Sequence, residues 1–195
     1  CQLIRTPPWD QDNLSEYKLI CLPSGVGGRW AFFVGDTKMV VTLNDAEQRL
    51  ARYLAGQRYE SNRNQGVTNN RVGPQSDEVT DLEGIAAEIA FCKLFNVYPD
   101  LEHSCKDPAD AYTTSMGATD VKATKYRNGR LLAVKGKLGL IHPDSYALMI
   151  GEFPAYRFVG FVASGELLDE NNLIDLGHGE TFGVTQSQLH QSSTS

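Results

Sequence analysis

DAYTTSMGATDVKATKY, residues 110–126, reads as two strands folded back on a turn. Side chains alternate across a strand, so Asp120, Lys122 and Thr124 share one face while Val121 and Ala123 share the other. A carboxylate and an ammonium two residues apart thus project into the same space. The turn SMGA lets residues 111–114 pair with residues 119–126, which brings Asp110, at the start of the first strand, toward Asp120. Two carboxylates at one point repel unless a cation lies between them, and hard oxygen ligands favour Mg²⁺ or Mn²⁺. A metal held there polarises a phosphate oxygen and activates a water, and the charge of Lys122 is suited to orient that water.

Upstream of the hairpin, residues 80–95 have helical spacing, with Thr80 and Glu83 resembling a capping box. At about 100° per residue, Leu82, Ile85, Ile89, Cys92 and Phe95 gather on one arc. Glu88 falls inside that arc and Glu83 points away from it. A carboxylate on a buried face is costly unless it is paired or bound to metal, so Glu88 joins the candidate residues. Residues 60–79, rich in Asn, Gly and Gln, read as a loop. Before them a helix is expected over 45–59, opened by Asn44 and Glu47. Strands expected over 17–22, 29–34 and 38–43 make a β-meander. Its SGVGG turn lacks the GK[ST] ending of a phosphate loop.

Downstream, strands are expected over 130–134, 146–150 and 157–163, with a short helix over 164–168 and a disordered tail, QSQLHQSSTS. The expected fold class is α/β (α+β), a mixed β-sheet flanked by helices. It divides into an N-terminal meander, helix and polar loop (1–79), a core (80–184) and a tail (185–195). Asp144 reads as a turn residue.

At 195 residues, 41% hydrophobic and 22% charged, the chain has the balance of a soluble globular domain. It shows no apolar run of the roughly 18 residues a membrane span needs and no leader peptide, so a cytoplasmic protein is expected. Its four cysteines form no CxxC pair and read as reduced thiols. The net charge of −6 argues against a uniformly basic surface. The distribution is uneven, however. Residues 121–141 hold Lys122, Lys125, Arg127, Arg130, Lys135 and Lys137 and no acid, while residues 158–195 hold acids and no Lys or Arg. Arg49, Arg52, Arg58, Arg63 and Arg71 form a second basic stretch.

The order of an inward Glu88 in GIAAEIAF, Asp110 in KDPADAY and Asp120–Lys122 in TDVK resembles the PD-(D/E)XK nuclease superfamily. RFVGFVASGELL is similar to the strand and helix that close many such nucleases. The resemblance implies a restriction-endonuclease-like core and a phage-type, Mg²⁺- or Mn²⁺-dependent enzyme that hydrolyses DNA in a bacterial or phage-infected cell. It implies Asp110, Asp120, Val121 and Glu88 around the metal and Lys122 as water-orienting base or electrostatic catalyst. One departure is the spacing Pro108-Ala109-Asp110, where the family motif sets Pro next to Asp, and this leaves Asp107 as a rival ligand. Lys125, Arg127, Arg130, Lys135, Lys137, Arg63 and Arg71 become expected nucleic-acid contacts. RNA shares the phosphodiester chemistry, and a homodimer would suit double-strand cuts. The alternative reading is a silent nuclease-like fold that binds protein or DNA.

Overall fold

In the computed structural model, residues 40–66, 75–101, 109–135, 141–177 and 179–191 are described. The strands expected over 17–22 and 29–34 lie outside them, as do Arg71, Asp107 and Lys137.

Strand β1 (Val40–Thr42) leads into helix α1 (Asp45–Asn64). The Asn44 Oδ1 atom accepts from the Ala46 and Glu47 amides at 2.9 and 3.0 Å, and Glu47 accepts from the Asn44 amide at 2.6 Å. The expected capping box is therefore present. The helix runs past residue 59, because its polar extension contains no breaker before Gly66, where φ is +67°. Of the expected loop over 60–79, residues 60–64 continue α1 and residues 77–79 already belong to the next helix, while residues 67–74 lie outside the described residues; Arg63 reaches Asp77 at 2.6 Å.

Helix α2 (Asp77–Phe95) starts three residues before the expected position. Ser76 is the cap, accepting from the Val79 amide at 3.3 Å, and Thr80 instead donates to the Ser76 carbonyl at 3.0 Å. The helix ends where Asn96 turns left-handed at φ 52°, with the Val97 amide donating to the Cys92 carbonyl at 3.0 Å. Ile85, Ala86, Ala87, Ile89, Ala90, Phe91 and Cys92 are all buried. A helix that is apolar nearly all round belongs between two layers: α1 covers one side of α2 and the sheet covers the other. Glu83 consequently does not face away from the protein. Its carboxylate accepts from the Phe153 amide at 3.1 Å and from the Tyr156 hydroxyl at 2.5 Å.

The sheet comprises β1, β2 (Ala111–Thr113), β3 (Gly117–Thr124), β5 (Ser145–Glu152) and β6 (Ala155–Ala163) in the order β1-β6-β5-β3-β2. The β3–β5 pair is parallel and the others are antiparallel. In β5 every residue from Ser145 to Gly151 is buried, as expected for a strand covered on both faces. Val121, Ala147 and Met149 pack toward the two helices. Tyr146, Leu148 and Ile150 pack the opposite way, against β4 (Leu131–Val134) and β8 (Glu180–Val184). With β7 (Leu173–Asp175) these form a second antiparallel sheet, β4-β8-β7. The short helix α3 (Ser164–Leu167) buries Leu167 in the same apolar cluster.

The molecule is thus mixed α+β: the two long helices cover one face of its mixed sheet, and the small sheet with the short helix α3 covers the other. Residues 185–191, expected as tail, are packed. His190 exchanges backbone hydrogen bonds with Phe161 at 2.7 and 2.9 Å, and Leu189 is buried, so the apolar edge of β6 orders this segment. No helix among the described residues is long and apolar enough to cross a membrane.

Candidate active site

The β2–β3 hairpin sets the first two carboxylates. Its register pairs Ala111 with Thr119, and the Asp110 amide donates to the Thr119 carbonyl at 2.9 Å, so Asp110 enters the hairpin beside Asp120. Gly117, at φ +67°, closes the turn, and a Cβ there would collide with the Asp144 carboxylate. Asp144, just ahead of β5, accepts from the Ala118 amide at 2.8 Å, so its side chain pins the β2–β3 hairpin 26 residues away.

Asp110 Oδ2 accepts from the Val121 amide at 2.8 Å. Burial raises the Asp110 pKa, and the charges of Glu88 and then Asp120 raise it further. Lys122 and the Val121 hydrogen bond only partly offset this, leaving the group well above the ordinary carboxylate value. Asp110 therefore stands electrostatically between Glu88 on the helix layer and the Asp120–Lys122 pair on the opposite face of the sheet.

Lys122 Nζ lies 2.7 Å from the Asp120 carboxylate. Burial pulls the Lys122 pKa down, but Asp120 and, more weakly, Asp110 and Tyr146 outweigh it and hold the ammonium charged. Tyr146, paired with Asp120 across β3 and β5, presents its ring 6.0 Å from Lys122 Nζ.

Glu88, whose side chain is 13% exposed, is gripped by Arg58 of α1. The two guanidinium nitrogens donate to its two oxygens at 2.9 and 3.0 Å. This fork-on-fork pairing passes over Gly84, where an added Cβ would lie 3.7 Å from the Arg58 guanidinium, an ordinary contact. The Arg58 pKa, lowered by burial, is raised by Glu88, Asp110 and Asp81, with a net upward shift. Cys92, one turn along from Glu88, has its thiol pushed up to about 12 by burial, with Glu88 and Asp110 adding to it. It is an inert core thiol.

Glu88, Asp110, Asp120 and Lys122 thus share one electrostatic neighbourhood. Arg58 and Tyr146 belong to it as well. Arg58 continues the inward stripe Ala51, Leu54, Ala55 of α1, a spacing visible in the sequence. The place of Tyr146 depends on the β3–β5 register, for which the sequence carries no local signal. Val121 buries its side chain in the core and commits its amide to Asp110, which leaves only its carbonyl for a metal. Among the described residues, no three His, Cys, Asp or Glu side chains are grouped closely enough to hold a metal. Arg58 holds the third carboxylate.

The expected nucleic-acid contacts divide. Arg63 pairs with Asp77 and stacks near Tyr59, and Lys135 pairs with Glu180 at 3.0 Å. Lys125, Arg127 and Arg130 are exposed on the β3–β4 connection. Beside them a groove of about 470 Å³ opens at the C-terminal ends of the parallel strands β3 and β5, with Lys122 in its wall. That is the end of a parallel pair at which open sheets bind ligands. The chain matches no family model, no curated protein and no solved structure.

Proposed function

We propose that this chain is a divalent-metal-dependent nuclease of PD-(D/E)XK type, with a restriction-endonuclease-like core, that hydrolyses DNA phosphodiester bonds. The observation that carries the reading is the Asp110 carboxyl, held by the Val121 amide next to the Asp120–Lys122 ion pair, where the negative charges of Glu88 and Asp120 both act to raise its pKa. Repulsion of that kind disfavours the ionised form of Asp110, and a divalent cation would relieve it.

The donors fit Mg²⁺ or Mn²⁺: Asp110 and Asp120 are hard oxygen ligands, and Mg²⁺ is commonly held by one or two carboxylates together with water and substrate phosphate. When bound, the ion supplies a polarised phosphate oxygen and an acidified water. The protein's own groups do the rest. Asp110 and Asp120 would hold the ion, and ionised Asp110 is the form that a bound cation would favour. Lys122, kept charged, offsets negative charge developing on the attacked phosphate, which favours an electrostatic role over that of a base. Arg58 fixes Glu88 and keeps a third negative charge from facing Asp110 unscreened.

The second reading, a nuclease-like fold that binds without turnover, draws on the same ion pairs. Asp120 and Glu88 each already have a cationic partner. Incubating supercoiled plasmid with the protein in Mg²⁺, Mn²⁺ or EDTA, beside a folded Asp120→Ala variant, separates the two. Metal-dependent nicking or linearisation that the variant lacks supports the enzyme. Intact plasmid in every lane, with a single-stranded oligonucleotide left intact under the same conditions, would leave binding as the function.

A further inference from the structure

We propose that the groove at the ends of β3 and β5 seats an unpaired nucleotide, so that the preferred substrate is single-stranded DNA or a frayed end. This inference rests on the nuclease reading and narrows it. The groove's volume of about 470 Å³ accommodates roughly one or two nucleotides and is too small to admit a duplex. Leu132 and the exposed Leu176 give it an apolar lining, and Tyr126 stands at its wall with 57% of its surface exposed. Flat aromatic rings beside apolar floors are what bases stack on once they leave a helix, whereas bases inside a duplex cannot reach them.

The turn that carries Tyr126 is fixed in advance. The Gly129 amide donates to the Tyr126 carbonyl at 2.8 Å, and the Gln186 side-chain amide donates to the Arg127 and Gly129 carbonyls at 2.7 and 3.0 Å. A Cβ on Gly129 would come within 2.5 Å of Thr124 Cγ2, so the turn is packed against its own strand.

Charge complements this shape. Lys125 Nζ lies 5.7 Å from the Tyr126 ring centre, and Arg130 lines the same wall. Neither makes an ion pair among the described residues, unlike Arg58, Arg63, Lys93 and Lys135. Of the two acids in the lining, Glu83 is consumed by Phe153 and Tyr156. Glu152, at the end of β5, repels phosphate and so directs the backbone toward Lys125 and Arg130. Lys122 is both a wall of the groove and the partner of Asp120, which links a seated nucleotide to the reacting carboxylates.

The test uses the full chain carrying Asp120→Asn, in EDTA, so that binding is read without cleavage. Anisotropy of a fluorescein-labelled single strand is compared with that of the same strand in a blunt duplex. The single strand should bind about tenfold more tightly, Tyr126→Ala should lose about tenfold, and Tyr126→Phe should retain the affinity. Equal or tighter duplex binding, or no effect of Tyr126→Ala, overturns the proposal. The two readings fail separately. If the wild-type protein cuts DNA with metal and Tyr126→Ala cuts single strands equally well, the groove inference falls and the nuclease stands. If nothing is cut but single-strand binding follows Tyr126, the groove stands as a binding seat and the nuclease falls.

Discussion

Arg58 is the residue at which charge and geometry can be separated. Truncating it leaves Glu88 largely buried without its partner beside Asp110. Because Arg58 itself is about one-third exposed, Arg58→Ala should cost about 2 kcal/mol in urea unfolding, less than a fully buried pair would. Arg58→Lys keeps the charge but not the fork, and should recover roughly half of that loss. A stability unchanged in both variants would mean that Glu88 finds another partner. Asp110 makes a prediction of opposite sign. Its folded pKa lies above the ordinary 3.8, so the native state holds a proton that the unfolded chain releases. The associated stability is therefore fully present below 3.8 and lost as pH rises through the folded value. In EDTA, Asp110→Asn should flatten that decline and be more stable than wild type at neutral pH; a parallel pH profile would refute the assignment. Asp110, Asp120 and Lys122 were legible because strand alternation and a short turn are local rules. Arg58 was visible only as a position on a stripe, since its partner lies thirty residues away on another helix.

At the scale of elements, the hairpin turn is the point of greatest leverage. Gly117→Ala forces a left-handed backbone onto an L-residue and drives its methyl into Asp144. It should destabilise by roughly 2 kcal/mol and reduce cleavage more than it reduces helix content, since the turn brings Asp110 to Asp120. Equal losses in activity and in far-UV signal would show the turn to be only structural. Helix α2 marks the limit of reading by pattern. Thr80 and Glu83 have capping-box spacing, but Ser76 offers the same chemistry earlier, and the choice between them is made by where α1 and the sheet meet the helix. Glu83 then becomes a bolt between α2 and the β5–β6 turn, a role for which rotation about one helix axis gives no sign.

For the whole molecule, the prediction concerns salt. Among the described residues, Lys125, Arg127 and Arg130 make no ion pair; Lys125 and Arg130 line the groove and Arg127 is exposed on the same connection, whereas Arg63 and Lys135 are spent on Asp77 and Glu180. At about 0.7 counterions per phosphate on a single strand, log affinity against log salt should slope at roughly −2. Arg130→Ala should flatten that slope, while Arg63→Ala should lower stability and leave it unchanged. The class of fold was legible because helices and strands announce themselves locally. The small β4-β8-β7 sheet that covers the second face was not, because strands of three to five residues have too little pattern to show which layer they join.

The burial of β5 on both faces has a consequence outside the native state. A segment with Tyr146, Ala147, Leu148, Met149 and Ile150 in unbroken succession has no charged gatekeeper among them, and it is shielded only after β3, β6 and both covering layers have assembled. Until then it is a sticky ribbon, able to pair with its counterpart on another chain as readily as with its own neighbours. Refolding yield should accordingly fall steeply with protein concentration, and a host making this protein quickly would accumulate aggregates seeded by residues 145–152.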